Sequence, residues 1–177
     1  MGKFFYKRIV ILALVIFLSS CGKETPEKYF NVAVLNTNLI QGFAGPGFNR
    51  QLESPSVKLS EDGNETMTMS RREVVNSITE NAEESYSNVK SLKVTDDTKE
   101  MIDASIKLYE YIIPVYKNEY SELAVLYDNS APEEQIVKMT NSIHDNYFRG
   151  FTERYSKLIS AGKTYAEKNS IKVHWAD

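Results

Sequence analysis

The stretch that decides the fold is DTKEMIDASIKLYEYIIPVYKNEYSELAVLY, residues 97–127. Apolar and tyrosine side chains recur in it every three or four residues, which places them along one face of an α-helix. The predicted helix is about 30 residues and ~45 Å long. The stripe keeps its phase across Pro114, so we expect a bend there rather than a break. Its members are Ile102, Ile106, Tyr109, Ile113, Tyr116, Tyr120, Leu123 and Tyr127.

Three further segments show helical periodicity. Residues 70–73 (SRRE) have the spacing of a capping box and predict a helix that continues to Leu92. Residues 130–133 (SAPE) repeat this spacing and predict the last helix, which we expect to fade near Asn169. A shorter helix is predicted to begin at Pro26. Four amphipathic helices without competing β alternation predict an all-α fold, an antiparallel four-helix bundle.

The segment between the first two helices, residues 42–69, interrupts the periodicity and holds four of the eight glycines and two of the five prolines. Connections this long are usually either disordered or functional. A plain connection and a binding loop that uses Phe43, Phe48 and Arg50 both remain open, although the two phenylalanines can also pack back on the helices. If the loop is plain, replacing residues 50–65 with a short Gly/Ser linker changes stability little.

Polar and aromatic residues along the stripes suggest two further features. Eight of the eleven tyrosines lie between residues 109 and 165, which predicts an aromatic seam in the core, with a binding platform as the alternative. Asn36 falls within the apolar stripe of the first helix, and a buried amide needs partners. We therefore consider an interior polar cluster of Asn36, Asn118 and His144.

The first 21 residues, MGKFFYKRIVILALVIFLSSC, have the layout of a secretory signal, with basic residues before ten apolar ones. The apolar run is too short to span a bilayer as a helix. Its end, Leu18-Ser19-Ser20-Cys21, resembles the lipobox of bacterial lipoproteins. The resemblance implies cleavage between Ser20 and Cys21, a diacylglyceryl thioether on Cys21, and acylation, for example with palmitate. The alternatives are a signal peptide with a chance cysteine and a permanent transmembrane helix.

The lipobox resemblance also implies a domain organisation and a location. Residues 1–20 form the signal peptide, residues 21–25 the lipidated tether, and residues 26–177 the helical domain. Gly22 follows the cysteine, so the Asp-type signal for retention in the inner membrane is missing. Two or more acyl chains anchor a protein stably. We expect a cell-envelope protein with the membrane as its partner, lipid-anchored to the outer membrane where one exists, on the periplasmic or surface side.

A second resemblance concerns the helical domain. Residues 100–123, EMIDASIKLYEYIIPVYKNEYSEL, are followed by an acidic turn and a long final helix. This arrangement is similar to an uncharacterised family of bacterial helical-bundle lipoproteins, most recognisably from Tyr116 to Tyr120. The likeness covers about residues 70–170 and implies an all-α periplasmic or surface domain, without any activity. The Gly-rich GFAGPGF segment, residues 42–48, departs from the family pattern.

Composition and motifs exclude several classes of function. The net charge is −3, which argues against a nucleic-acid binder, and one cysteine excludes a disulfide scaffold or a multi-thiolate zinc site. Neither His144 nor His174 follows a glutamate at the spacing of a di-iron bundle, and no nucleophile motif occurs. We expect no metal, no cofactor and no catalysis. The favoured hypothesis is a binding or interaction module. The alternatives are a structural or stress-related envelope component without ligand, and a cofactor-binding bundle or enzyme.

Overall fold

The computed structural model describes residues 24–54, 56–60 and 62–175. The predicted signal peptide, its cleavage site at Ser20 and Cys21, and most of the tether lie outside these residues. The described chain is mostly helical, as predicted, and it also holds a two-stranded sheet. In chain order the elements are α1 (Pro26–Ala33), a 3₁₀ segment (Leu35–Ile40), α2 (Pro46–Glu53), β1 (Val57–Leu59), β2 (Thr66–Thr68), α3 (Arg71–Ser91), α4 (Lys99–Val115), a π segment (Tyr116–Tyr120), α5 (Ser121–Asp128) and α6 (Glu133–Lys168).

Helix α3 begins with the predicted capping box. The Ser70 hydroxyl accepts a hydrogen bond from the Glu73 N–H (3.2 Å), and the Glu73 carboxylate accepts one from the Ser70 N–H (2.8 Å). Lys58 of β1 forms an ion pair with the same carboxylate. The Lys58 ammonium and the Ser70 N–H together lower the pKa of Glu73 to about 2. Glu73 therefore joins the hairpin to the start of α3.

Glu73 should make the protein less stable on acidification. Its folded pKa of about 2 lies below the ordinary value of 4.5, so its stabilisation is complete above the ordinary pKa and is lost as pH falls towards 2. Glu73→Gln removes the titration, so the melting temperature of this variant should fall less between about pH 5 and about pH 2.5. The matched control is Glu84→Gln, an exposed site on the same helix, which should keep the wild-type pH dependence. Equal pH dependence in the two variants would contradict the assignment.

The start of α6 differs from the prediction, because residues 130–133 form no capping box. The residue before the helix is Pro132, and no side chain caps the helix start. Ser130 instead adopts a left-handed conformation with φ 50°. The N–H of Ala131 then donates to the Leu126 carbonyl (2.9 Å), which closes the C-terminal end of α5. The end of α6 at Lys168 agrees with the prediction.

The prediction of a loop over residues 42–69 is wrong. A turn leads into α2, and a hairpin follows in which β1 and β2 pair antiparallel, with Lys58 opposite Met67. Helix α2 has only eight residues, and its buried side chains are Phe48 and Leu52, one turn apart. A single apolar pair is too short a pattern to reveal a period among so many glycines and prolines.

The aromatic core explains why the chain around Phe43 is ordered. Phe43 is fully buried, and its ring centre lies 5.3 Å from that of Tyr116, 5.9 Å from that of Tyr120 and 5.1 Å from that of Phe151. The Tyr120 hydroxyl also accepts a hydrogen bond from the Ala44 N–H (2.9 Å). Burial raises the pKa of both Tyr116 and Tyr120. This part of the tyrosine seam is therefore core.

The long central helix continues past Pro114 but changes its winding. Helix α4 gives way at Tyr116 to the π segment, and α5 follows without a break. Proline lacks the N–H that would bond to the carbonyl four residues earlier, and π turns take up such local interruptions. In the last turn of α4, Ile112 and Val115 are buried, whereas Ile113, which the stripe included, is half-buried.

Polar contacts join neighbouring segments at two places in the domain. Lys168, at the end of α6, forms an ion pair with Asp97 before α4. Asp128, at the end of α5, accepts hydrogen bonds from the N–H groups of Arg71 (2.7 Å) and Arg72 (3.2 Å) at the start of α3. All buried residues of the described chain lie between residues 29 and 166. Within the described chain, each helix is too short or too polar to cross a membrane.

Candidate functional site

The best candidate site is a cleft between the 3₁₀ segment, α6 and the chain that follows α6. We call it the Trp175 cleft. Its volume is about 600 Å³, within the range of small-molecule sites. Its lining combines aliphatic and aromatic side chains with a few polar groups, which is typical of ligand sites. The lining residues are Val34, Leu35, Asn38, Gln41, Tyr155, Ile159, Lys163, Val173, His174 and Trp175.

Trp175 closes one side of the cleft. Its ring meets that of Phe30 edge to face, with 5.8 Å between ring centres. The Lys163 ammonium lies 5.3 Å from the centre of the indole, within the range of a cation–π contact. Ile171 starts the return of the chain, since its N–H donates to the Ala166 carbonyl (2.9 Å). The chain after α6 therefore folds back along the helix, and the tryptophan packs over α1.

The other end of the cleft is polar. The Gln41 amide donates to the Tyr155 hydroxyl (2.8 Å) and to the Asn38 side-chain carbonyl (2.8 Å). Tyr155 in turn stacks on buried Phe151, with ring centres 5.5 Å apart. These contacts fix a phenol and two amides at this end, and they can bind or orient a polar group.

A larger groove of about 850 Å³ lies between α4 and α6. The guanidinium of Arg154 covers the Tyr111 ring at 4.1 Å from its centre, and the Tyr111 hydroxyl donates to the Tyr147 carbonyl (3.2 Å). A side chain at Gly150 would overlap Tyr111, so α6 requires glycine there. Both acidic and basic groups line this groove, so it favours neither sign of ligand charge. Its charged lining residues are Glu100, Asp103, Lys107, Glu110, Glu153, Arg154 and Lys157.

A third, smaller cleft of about 350 Å³ lies between the 3₁₀ segment, α2 and α3. The amides of Asn36, Gln51 and Asn81 line it, with Tyr109 among the other lining residues. Asn36 is half-buried there. Its place at the edge of a cleft explains how an amide fits within an otherwise apolar stripe.

The predicted binding loop does not form as proposed. Phe43 and Phe48 are buried in the core, so they cannot contact a ligand from the surface. Only Arg50 is exposed. The two phenylalanines pack back on the helices, which was the other expectation for them.

The predicted interior cluster of Asn36, Asn118 and His144 is also wrong, because Asn118 and His144 are exposed. Nδ1 of His144 lies 2.9 Å from the Ala44 carbonyl oxygen, which requires the proton on that nitrogen. Its ring also stacks on Phe148. His144 therefore holds the turn before α2 from outside the core.

Tyr109 is buried as its place in the stripe predicted, but the burial of Ser105 beside it was not predicted. Among the described residues, the hydroxyls of Ser105 and Tyr109 are buried without a hydrogen-bond partner. Burial raises the pKa of Tyr109, and the neighbouring Ser85 hydroxyl opposes that shift. A serine in an apolar stripe resembles an exposed polar position, so its burial is easily missed. The spacing could have indicated it, since Ser105 precedes Tyr109 by four residues and therefore lies on the same face of the helix.

The Trp175 cleft could hardly be predicted from the sequence. The segment after α6 carries no periodicity, and its signal was the single tryptophan of the chain, in a segment with Ile171 and Val173. Among the described residues, no group of three or more His, Cys, Asp or Glu side chains is placed to hold a metal ion. Comparison with protein-family models, curated proteins and solved structures gave no match to this chain. Function must therefore be inferred from the site itself.

Proposed function

We propose that the protein is a membrane-anchored bacterial envelope lipoprotein, and that its helical domain is a non-catalytic binding module. The observation that carries the binding half is the Trp175 cleft. It offers apolar side chains, two aromatic rings and a few convergent polar groups in one concave site.

The anchoring half is supported by the sequence around Cys21 and by the position of α1. Leu18-Ser19-Ser20-Cys21 has the residue types of a lipobox. The side chain of Thr25 accepts a hydrogen bond from the Lys28 N–H (3.3 Å) and caps α1. Cys21 and Thr25 are four residues apart, which allows at most ~14 Å of extended chain. A lipid on Cys21 would therefore hold α1 close to the membrane surface.

The arrangement proposed for the domain is an antiparallel four-helix bundle. Its members are α1 with the 3₁₀ segment, α3, the helix from α4 through α5, and α6. The extensive contacts of α4 with both α3 and α6 support this arrangement, as does the short turn between α5 and α6.

Cys21→Ser should abolish membrane partition of the mature protein, since all its anchoring is assigned to one thioether. In detergent-phase partition of cell extracts, the wild-type protein is expected in the detergent phase. The variant should appear as an aqueous or an uncleaved product. A correctly cleaved Cys21→Ser protein that still enters the detergent phase would refute the lipid anchor. Ser19→Ala is the matched control, because alanine is also small and should preserve processing and partition.

The binding half has a separate test. Native mass spectrometry of the wild-type protein should show a small molecule bound in addition to the lipidated chain. Trp175→Ala should lose that added mass, whereas Tyr111→Ala in the charged groove should retain it. Equal retention in the two variants would place the ligand elsewhere.

A further inference from the structure

We propose that the Trp175 cleft binds a single-chain amphiphile with an anionic head group, taken from the membrane to which the protein is anchored. The source of the ligand rests on the proposed function, since the anchor is what places the cleft beside a bilayer. The binding chemistry rests on the described residues alone.

The apolar part of the lining indicates that the ligand has an aliphatic chain. Leu35 remains 39% exposed although it borders a concave site, and Ile159 and Val173 are half-buried beside it. Covering such surface with an aliphatic chain removes it from water, which favours binding in proportion to the area covered. Tyr155 and Trp175 give the cleft flat apolar walls.

The charge of the cleft lining indicates an anionic head group. Among the described residues that line the cleft, Lys163 is the only Lys or Arg, and none is Asp or Glu. Lys163 also makes no ion pair within the described chain. Within the described chain its ammonium therefore meets no competing carboxylate, and it can bind a carboxylate or phosphate head group. His174 also lines the cleft and offers a second nitrogen donor.

Access depends on the segment that carries Trp175. After the Ile171 N–H, no hydrogen bond fixes residues 172–175 to the rest of the described chain. The indole is held by its contacts with Phe30 and Lys163. Side-chain packing without backbone hydrogen bonds can open and close at little cost, so the indole can move aside to admit an alkyl chain.

Position relative to the membrane favours this class of ligand. Phe30, against which Trp175 packs, follows Thr25 by five residues, or roughly 8 Å of helix. With the ~14 Å available between Cys21 and Thr25, the tryptophan side of the cleft is within about 25 Å of chain from the anchor. An amphiphile leaving the bilayer therefore has a short path to the cleft.

Trp175 is the only tryptophan in the chain, so its fluorescence reports on the cleft directly. We would use residues 22–177, which contain every buried residue of the described chain. We would titrate with decanoate and decyltrimethylammonium below their critical micelle concentrations, and with decan-1-ol below its solubility limit. Decanoate should shift the emission to shorter wavelength and saturate at one molecule per chain. It should bind about fivefold or more tightly than the cationic analogue. A response that never saturates, or equal affinity for the two charged analogues, would overturn the proposal.

Two variants separate the head-group contact from the chain contact. Lys163→Gln should weaken decanoate binding about fivefold and leave decanol binding unchanged. Leu35→Asn should weaken both. Lys157→Gln, an exposed site on the same helix in the other groove, should change neither. Unchanged decanoate affinity in Lys163→Gln would refute the assigned head-group site.

The test of the ligand and the test of the lipid anchor can fail separately. Saturable decanoate binding, together with a correctly cleaved Cys21→Ser protein that remains in the detergent phase, would keep the ligand class and reject the proposed anchor. Loss of partition in Cys21→Ser, without decanoate binding by the wild-type domain, would keep the anchor and reject the ligand.

Discussion

Truncation of Phe43 to alanine is expected to lower the free energy of unfolding by about 3 to 5 kcal/mol, the usual cost of removing a fully buried phenylalanine. The reason is that Phe43 is 0% exposed and that its ring lies among those of Tyr116, Tyr120 and Phe151. Those rings belong to the π segment and to α6, so the cavity would open where three parts of the chain meet. Urea unfolding followed by circular dichroism measures the loss.

The matched control is Leu39→Ala. Leu39 is also close to the start of the Gly-rich segment, but 67% of it is exposed, so its truncation should change stability by about 0.5 kcal/mol or less. Similar losses in the two variants would mean that Phe43 does not occupy the core as described.

Replacement of residues 50–65 with a short Gly/Ser linker is expected to lower the free energy of unfolding by at least about 2 to 5 kcal/mol, the cost of losing one buried leucine. This reverses the expectation from sequence, because the segment includes Leu52, which is 0% exposed. It also removes the Leu52 and Glu53 carbonyls that accept hydrogen bonds from the Arg71 guanidinium. Calorimetry tests the result.

A shorter replacement provides the control. Exchange of residues 56–65 alone removes the hairpin turn and β1 but leaves α2 and Leu52 in place. Since β1 and β2 are exposed, this variant should lose much less stability than the longer replacement. Equal losses would show that the hairpin, rather than α2, accounts for the effect.

The sequence predicted the helices whose apolar stripes are long. Helix α3 follows its predicted start closely because the capping box at Ser70 and the stripe up to Leu92 agree with each other. The last helix ends as predicted, but its start does not depend on Ser130, whose left-handed backbone belongs to the end of α5. Spacing alone does not distinguish a residue that caps the next helix from one that ends the previous helix.

The candidate site could be predicted only in small part. Asn36 was singled out as a polar residue within a stripe, and it lines a cleft, although not with Asn118 or His144. The Trp175 cleft depends on a segment without periodicity that folds back over Phe30. Contacts between residues so distant along the chain depend on tertiary packing, and local patterns do not encode them.

The π segment has a consequence for how related chains should align with this one. A π turn holds one residue more than an α turn, so it absorbs an added residue that would otherwise rotate the following helix by about 100°. Deleting one residue between Tyr116 and Tyr120 should therefore restore regular α winding while Leu123 and Ala124, both fully buried, still face the core. In a homologue without this extra residue, the matching apolar residues come one position earlier in the sequence after this point. Correct alignments should place the single-residue gap inside the π segment rather than in a loop.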